Sequence, residues 1–384
     1  MPTRAGSSVH TIALRVLAAA LALSSVALRG SAAQAPRMIQ LKPADAKLTE
    51  EFTSIDYVRE LADRRILIVD AREKRLVIAD FASGTVGPVS RSGSGPAEFR
   101  SISGLFGLAG DSTLLVDDEN RRWLLLRGTR VVATLPPDAP ATVAARQGEL
   151  GTDRVGHLLA QLNAGRVAGD PLGRLDSPYV ALVDRRTGKA DTVGRIRAAP
   201  RLQVAATYAP DGTLASAKYR FAPFTAFEQV AIFPDGWIAI ARLDPYHVEW
   251  RSPDGQWIRG APIPVPPVKV DDQEKRAWLA RTFGGQVAPP EASTISSWPG
   301  TIPPFEAPRG SIVLAASDGA LLVKRSSSAR HEETLYDVID RRGARVGQLP
   351  LPKNERIVGF GLRTVFVVVT DSDGIQRLRR HPWP

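Results

Sequence analysis

The run Val116-Asp117-Asp118-Glu119-Asn120 places three carboxylates in three consecutive positions, with an amide after them. Such oxygen donors suit calcium, but the alternating Asp-x-Asp-x-Asp-Gly spacing of a calcium loop is absent. The pattern reads instead as a polar loop in which Asp117 hydrogen-bonds its own turn. Just upstream, Gly93-Ser94-Gly95-Pro96 could suggest a phosphate cradle. That chemistry needs a helix after the glycines, so that amide N–H groups and the helix dipole face the anion. A strand-like pattern, SISGLFG, follows instead, so Gly93 to Phe99 reads as a connection between sheets. The five histidines, His10, His157, His247, His331 and His381, include no His-x-x-x-His pair. His247 in DPYHVEW opens a strand beside a loop, a position that is usually structural. No Gly-x-Ser-x-Gly elbow is present, and Ser326 to Ser328 lack a local base. With no cysteine there is no disulfide framework, thiolate metal site or lipid-attachment cysteine. No catalytic residue, metal ligand or cofactor is assigned from sequence.

The elements that hold these residues repeat. Residues 51 to 78 and 98 to 125, offset by 47, share ten identities in 28 positions without a gap. Among them are Phe52/Phe99, Ser54/Ser101, Asp70/Asp117 and Arg75/Arg122. A period of this size marks a repeated supersecondary unit. The unit consists of short apolar runs, ILIVD and RLVIAD in one copy and TLLVD and RWLLL in the other, separated by turn residues. Runs of this kind read as strands. Phe52 and Phe99, at the same place in both copies, read as wedges between units rather than ligand contacts.

A glycine turn near the end of each unit recurs at Gly84, Gly128, Gly188, Gly255 and Gly343, and a sixth unit turns at Asp373-Gly374 before the chain stops one strand short. Six four-stranded units define an all-β, six-bladed β-propeller. An N-terminal strand must then close the last blade, because an open ring would leave unpaired edges; Met38-Ile39-Gln40-Leu41 is the candidate. Widening glycine spacing places insertions at about 136–152, 195–226 and 263–308. The last contains a short helical insertion, DDQEKRAWLARTFGG, with Asp271 and Asp272 as caps, Gly284 as the stop and Ala277, Trp278 and Phe283 as packing residues.

The first 33 residues stand apart. Arg4 and Arg15 precede the apolar run VLAAALALSSVAL, and GSAAQAP follows. A basic start, a short apolar segment and small residues describe an export signal cleaved after Ala33, with an uncleaved anchor as the alternative. Residues 34–384 then form one propeller domain, with no membrane span after signal removal and a periplasmic or extracellular location. The net charge of +10 and pI of about 10.1 favour anionic partners, although the basic residues are too scattered for a nucleic-acid arm.

The stretch GSGPAEF…GLFGLAGDSTLLVDDENRR resembles an NHL repeat, with Gly93, Gly95, Pro96 and Phe99 before the strand pair and Asp117, Asn120 and Arg121 after it. Blade 1 departs from it, with Arg72, Glu73 and Lys74 in the corresponding loop. The rest is similar to bacterial exported six-bladed propellers, and YHVEWRSPDGQWIRGAPIPVPPVKVDDQEKRAW looks like their fourth blade and its helical insert. The resemblance implies ligand binding at one face of the ring, where loops between second and third strands carry Arg72, Asp118, Glu119, Arg242, Tyr246, His247 and Asp371. Two functions follow as expectations. One is a monomeric, non-enzymatic binding or scaffold module for a protein, a glycan or another polar or anionic ligand. The other is a metal-assisted hydrolase or lyase resembling the gluconolactonase and strictosidine-synthase-like propellers.

Overall fold

A computed structural model describes Met1 and residues 36–136, 146–162, 177–197, 201–208, 210–211, 214–284, 295, 297–306 and 313–383. The proposed export signal, apart from Met1, lies outside the described residues, as do residues 137–145 of the 136–152 insertion and parts of the other two. The description below concerns the unit Arg37–Pro384.

The first strand of this unit is the short β1 (Ala46–Lys47). Blade 1 is β2 (Ile55–Glu60), β3 (Ile66–Asp70), β4 (Arg75–Asp80) and β5 (Thr85–Ser90). Blade 2 is β6 (Ile102–Gly107), β7 (Ser112–Asp117), β8 (Arg122–Arg127) and β9 (Arg130–Leu135). Blade 3 is β10 (Arg146–Thr152), β11 (His157–Leu162), β12 (Tyr179–Asp184) and β13 (Ala190–Arg195). A hairpin, β14 (Arg201–Tyr208) and β15 (Leu214–Phe221), leads to blade 4: β16 (Gln229–Ile232), β17 (Ile238–Leu243), β18 (Tyr246–Arg251) and β19 (Trp257–Arg259). The next insertion holds β20 (Val268–Lys269), helix α1 (Asp272–Phe283) and β21 (Thr301–Ile302), with β20 paired to β21. Blade 5 is β22 (Val313–Ala315), β23 (Leu321–Lys324), β24 (Glu333–Ile339) and β25 (Arg345–Pro352). Blade 6 is β26 (Glu355–Gly361), β27 (Thr364–Thr370) and β28 (Gln376–Pro382), completed by β1.

Each blade is an antiparallel meander, and the first strand of each touches the first strand of the next, from β2 through β6, β10, β16, β22 and β26 back to β2. The protein is therefore a closed six-bladed β-propeller. The second strands explain why the sequence reads as continuous apolar runs. Both faces of β3 and nearly all of β7 are buried, because each blade is sandwiched between two others. Alternate residues serve different seams. Ile66 and Ile68 pack with blade 6, while Leu67 and Val69 pack with blade 2.

The closing strand differs from the expectation. Ala46 and Lys47 pair with Arg380 and Arg379 of β28, and the flanking amides of Asp45 and Leu48 donate to the carbonyls of Arg380 and Leu378. Met38 instead bridges Gln348 of β25 in the parallel sense. There, Ile39 N–H donates to Gln348 O at 2.7 Å and Gln348 N–H to Arg37 O at 2.8 Å. The apolar segment was the more obvious strand, but its side chains serve the core: Ile39 and Leu41 pack on the seam between blades 5 and 6. The edge of β28 is reached only by the more polar residues after it. One N-terminal segment thus ties blade 5, blade 6 and, through Phe52, blade 1.

Both expected wedges are in place. Phe52 is 1% exposed between blades 6 and 1, and Phe99 is 1% exposed between blades 1 and 2. Helix α1 starts at N-cap Asp271, whose carboxylate accepts from Glu274 N–H at 3.1 Å, and stops before Gly284. It is held down by buried Glu274 and Leu279, while Trp278 and Phe283 are half-buried.

Candidate functional site

The carboxylate loop of blade 2 is a structural lock. Asp117 is fully buried, and its Oδ1 accepts from the backbone N–H groups of Arg100 and Ser101 at 3.0 and 3.2 Å. Its Oδ2 accepts from Asn120 Nδ2 at 2.6 Å and Arg122 Nε at 3.3 Å. Asp70 repeats this in blade 1, accepting from Thr53 and Ser54 N–H at 2.9 and 3.1 Å. The conserved offset of the internal repeat thus encodes one device: an aspartate at the end of a second strand that fixes the entry into the first strand of the same blade.

The glycine loop belongs to the same device. Arg122 donates to the carbonyls of Ser94, Gly95 and Glu98, and Asn120 to that of Gly93. Gly95 N–H is taken by Glu98 Oε2 at 2.9 Å. That bond, with the Arg91 ion pair, holds the Glu98 carboxyl below its ordinary range. The loop turns carbonyls toward its own cations, which is the opposite polarity from an anion cradle.

The other sequence-selected residues scatter around the ring. Arg72 is exposed in the loop after β3, and Asp118 and Glu119 are exposed in the next blade. Glu119 lies 3.8 Å from Lys74, joining those two loops weakly. Asp371 folds back on its own turn, accepting from Asp373 and Ile375 N–H and pairing with Arg377 at 2.9 Å. Three residues come together in blade 4, but inside the wall. Arg242 is clamped by Glu228 at 2.7 Å and Glu249 at 2.8 Å, and His247 Nε2 lies 3.3 Å from Glu249 Oε1. Tyr246 is buried, donates to Asp337 Oδ2 at 2.9 Å, and its phenol is pushed well up by burial and by that carboxylate.

A different cluster stands at the seam between blades 5 and 6. Starting both second strands after their turns, ILIVD of β3 aligns with LLVKR of blade 5, so Lys324 occupies the place of Val69 and Arg325 the place of Asp70. Arg325 is compensated by fully buried Asp337 at 3.4 Å. Lys324 is half-buried, and among the described residues no carboxylate lies in ion-pair contact with it. Its ammonium is shifted down by burial and by the neighbouring Arg356 guanidinium, with Glu306 opposing and Arg281 adding to the shift. Arg356, near the start of β26, is itself shifted down by burial. Its guanidinium donates to Ile55 O of the adjoining blade 1 and to Gln376 Oε1 of its own blade.

Glu306 lies in the segment leading to blade 5. It accepts from Ser327 N–H at 3.2 Å and sits 3.7 Å from Arg281 of α1. Burial still pushes its carboxyl up. Lys324 and Glu306 therefore both move toward their neutral forms, because desolvation outweighs an attraction that falls short of contact. Loops and strands of blades 5 and 6 and of the insertion thus bring three cations around one weakened carboxylate.

A groove of about 310 Å³ on blade 1 is the competing candidate, lined by Glu50, Glu73, Lys74, Arg75 and Arg91 among others. Its charges are largely spent on one another or on neighbours, with Arg75–Glu50 at 3.2 Å and Arg91–Glu98 at 2.9 Å. Among the described residues no group of three or more His, Cys, Asp or Glu could hold a metal ion.

The chain matches no protein-family model and no curated protein. Solved structures resemble it in fold. One is a member of the DUF4221 family from Bacteroides vulgatus, with TM-score 0.49 and 7% identity over 88% of this chain and 96% of that one. Another is regucalcin, a calcium-binding protein from Agrobacterium tumefaciens, with TM-score 0.41 and 11% identity over 91% and 97%. A third is virginiamycin B lyase from Staphylococcus aureus, with TM-score 0.38 and 10% identity over 88% and 86%. They do not support the finer NHL-repeat assignment, and at this level of likeness they transfer no chemistry.

Proposed function

We propose that the protein is an exported binding module that takes an anionic ligand at the seam between blades 5 and 6. The observation that carries this reading is Lys324. A cation has been put where blades 1 and 2 carry a buried valine, beside two more cations and, among the described residues, without a carboxylate in ion-pair contact. Desolvated, uncompensated charge is costly to a fold and is characteristic of functional sites. An incoming acid group supplies the missing counter-charge. The basic chain as a whole strengthens the attraction over longer range. Export rests on the basic, apolar and small-residue pattern of residues 1 to 33; among the described residues no helix is long and apolar enough to cross a membrane. The alternative, a metal-assisted hydrolase or lyase, requires carboxylates or Asn of several blades converging on a metal; among the described residues no group of three or more His, Cys, Asp or Glu does so.

Titration calorimetry of the full chain with citrate tests the reading. The parent binds, and Lys324→Met reduces affinity at least about tenfold while thermal stability is kept or raised, because a desolvated charge has been replaced by an apolar side chain of similar length. Equal citrate affinity in parent and variant overturns the proposal.

A further inference from the structure

An aromatic cluster on and beside the insertion between blades 4 and 5 adjoins these cations through Arg281. Trp278 and Trp298 meet edge to face with centroids 5.6 Å apart, and Phe224 tilts against both at 6.2 and 6.4 Å. Phe283 adds a fourth ring, 5.9 Å from Trp278. Phe224 is buried and forms the floor, whereas Trp278, Trp298 and Phe283 are only half-buried. Half-buried tryptophans offer flat apolar faces with a polar edge.

Arg281 joins the two surfaces. It lies three residues after Trp278, hence on the same helix face. Its guanidinium carbon stands 6.0 Å from the Phe224 centroid, and its NH2 is 3.7 Å from Glu306. The assembly is fixed rather than draped. Fully buried Glu274 of α1 accepts from Ser328 Oγ at 2.5 Å and Ala329 N–H at 2.8 Å, and pairs with Arg330 at 3.3 Å. Ser328 to Arg330 follow Lys324 in the same chain segment, so the bonds that seat the helix also hold the loop after Lys324. The helix has little amphipathic pattern of its own, and a buried glutamate bonded to a blade loop is an unusual anchor for a decorative insertion.

We infer that this seam and the insertion together bind an acidic oligosaccharide, its ring faces laid against Trp278 and Trp298 and its acid groups paired with Arg281, Lys324 and Arg356. The inference rests on the anion-binding reading above and names its ligand. Arg281 sets the aromatic cluster beside the cations, and an acidic glycan presents both C–H faces and anions. A small anion uses only the cations. A neutral glycan leaves the cations uncompensated.

The test uses the full chain with four probes: oligogalacturonate, a heparin-derived oligosaccharide, a neutral maltooligosaccharide and citrate. Affinity is read by calorimetry and by tryptophan fluorescence. Oligogalacturonate is expected to bind more tightly than citrate and to perturb the fluorescence, while the neutral oligosaccharide does not bind. Trp298→Ala is expected to weaken oligogalacturonate at least about tenfold and leave citrate unchanged. Arg281→Ala, at an exposed helical position, is expected to weaken both, and thermal unfolding confirms that each variant is folded. Heparin binding in place of oligogalacturonate, with the same Trp298 dependence, supports the inference and assigns the acid group as sulfate. If citrate binds and depends on Lys324 while neither acidic oligosaccharide gains over it, the glycan inference is overturned and the anion site stands. If no anionic probe binds, both are overturned.

Discussion

Asp117→Ala tests whether the carboxylate loop is a lock or a site. The side chain is fully buried and accepts four hydrogen bonds, from Arg100 N–H, Ser101 N–H, Asn120 Nδ2 and Arg122 Nε. Truncation removes both acceptor oxygens and so all four of these bonds. A buried donor left unpaired costs about 1–3 kcal/mol. The Arg122 guanidinium keeps its bonds to Gly95 and Glu98 carbonyls, and Arg100 is exposed enough for water to replace part of the loss. The two donors least able to recover are Ser101 N–H and the Asn120 amide, so the expected loss is about 3–5 kcal/mol. Asp117→Asn preserves one acceptor for the two backbone amides but turns a donor toward Asn120 and Arg122, so it is expected to cost about half as much. Urea denaturation followed by tryptophan fluorescence measures both, with the midpoint lowered at unchanged slope. A loss under about 1 kcal/mol for Asp117→Ala would refute the lock and reopen the loop as a ligand site.

Two further outcomes follow from the packing. Phe99→Ala is expected to lower stability by about 3–5 kcal/mol, because a wedge 1% exposed is removed between blades 1 and 2, while Glu98→Ala costs well under half of that; equal midpoints for the two in chemical denaturation would contradict the wedge. Beginning the chain at residue 45 removes the Ile39 and Leu41 contacts but keeps the closing strand, whereas beginning it at residue 48 removes both and keeps the Phe52 wedge. The first truncation is expected to lower the thermal midpoint and the second to abolish the cooperative transition, and equal unfolding of the two would disprove closure by Ala46–Lys47.

The ring was legible because its physics is local and repeated. A strand buried on both faces must be apolar throughout, and the aspartate that locks the entry of blades 1 and 2 recurs at the same offset, so Asp70 and Asp117 announce the repeat. The helix was legible for the same reason, since Asp271 and Gly284 are chain-local signals. The closing strand was not. Pairing with β28 uses backbone groups that every residue carries, so Ala46–Lys47 has no side-chain signature, while Met38-Ile39-Gln40-Leu41 looks like a strand because its residues fill the seam of another blade. Tyr246 and His247 misled for a related reason. They sit at the face in sequence order, but alternation along β18 and the reach of Asp337 and Glu249 draw them into the wall.

The seam cluster did leave a trace, in a form that a search for motifs overlooks. Lys324 is unremarkable as a lysine in a loop-rich sequence. It becomes informative only when LLVKR is laid on ILIVD and TLLVD, because the repeat states what the position requires for stability alone. Val69 and Val116 are 1% and 2% exposed there, and each seals a seam between blades. Replacing that apolar contact with an ammonium gives up packing and adds desolvation, and the shifts of Lys324 and Glu306 toward neutrality register the cost. Arg325 departs from the repeat too, yet Asp337 restores its balance within the same blade, so it needs no ligand to explain it. In a repeat protein the departure that matters is the one left uncompensated. By that criterion the function of this ring belongs at the seam between blades 5 and 6, beneath the helix that Glu274 anchors.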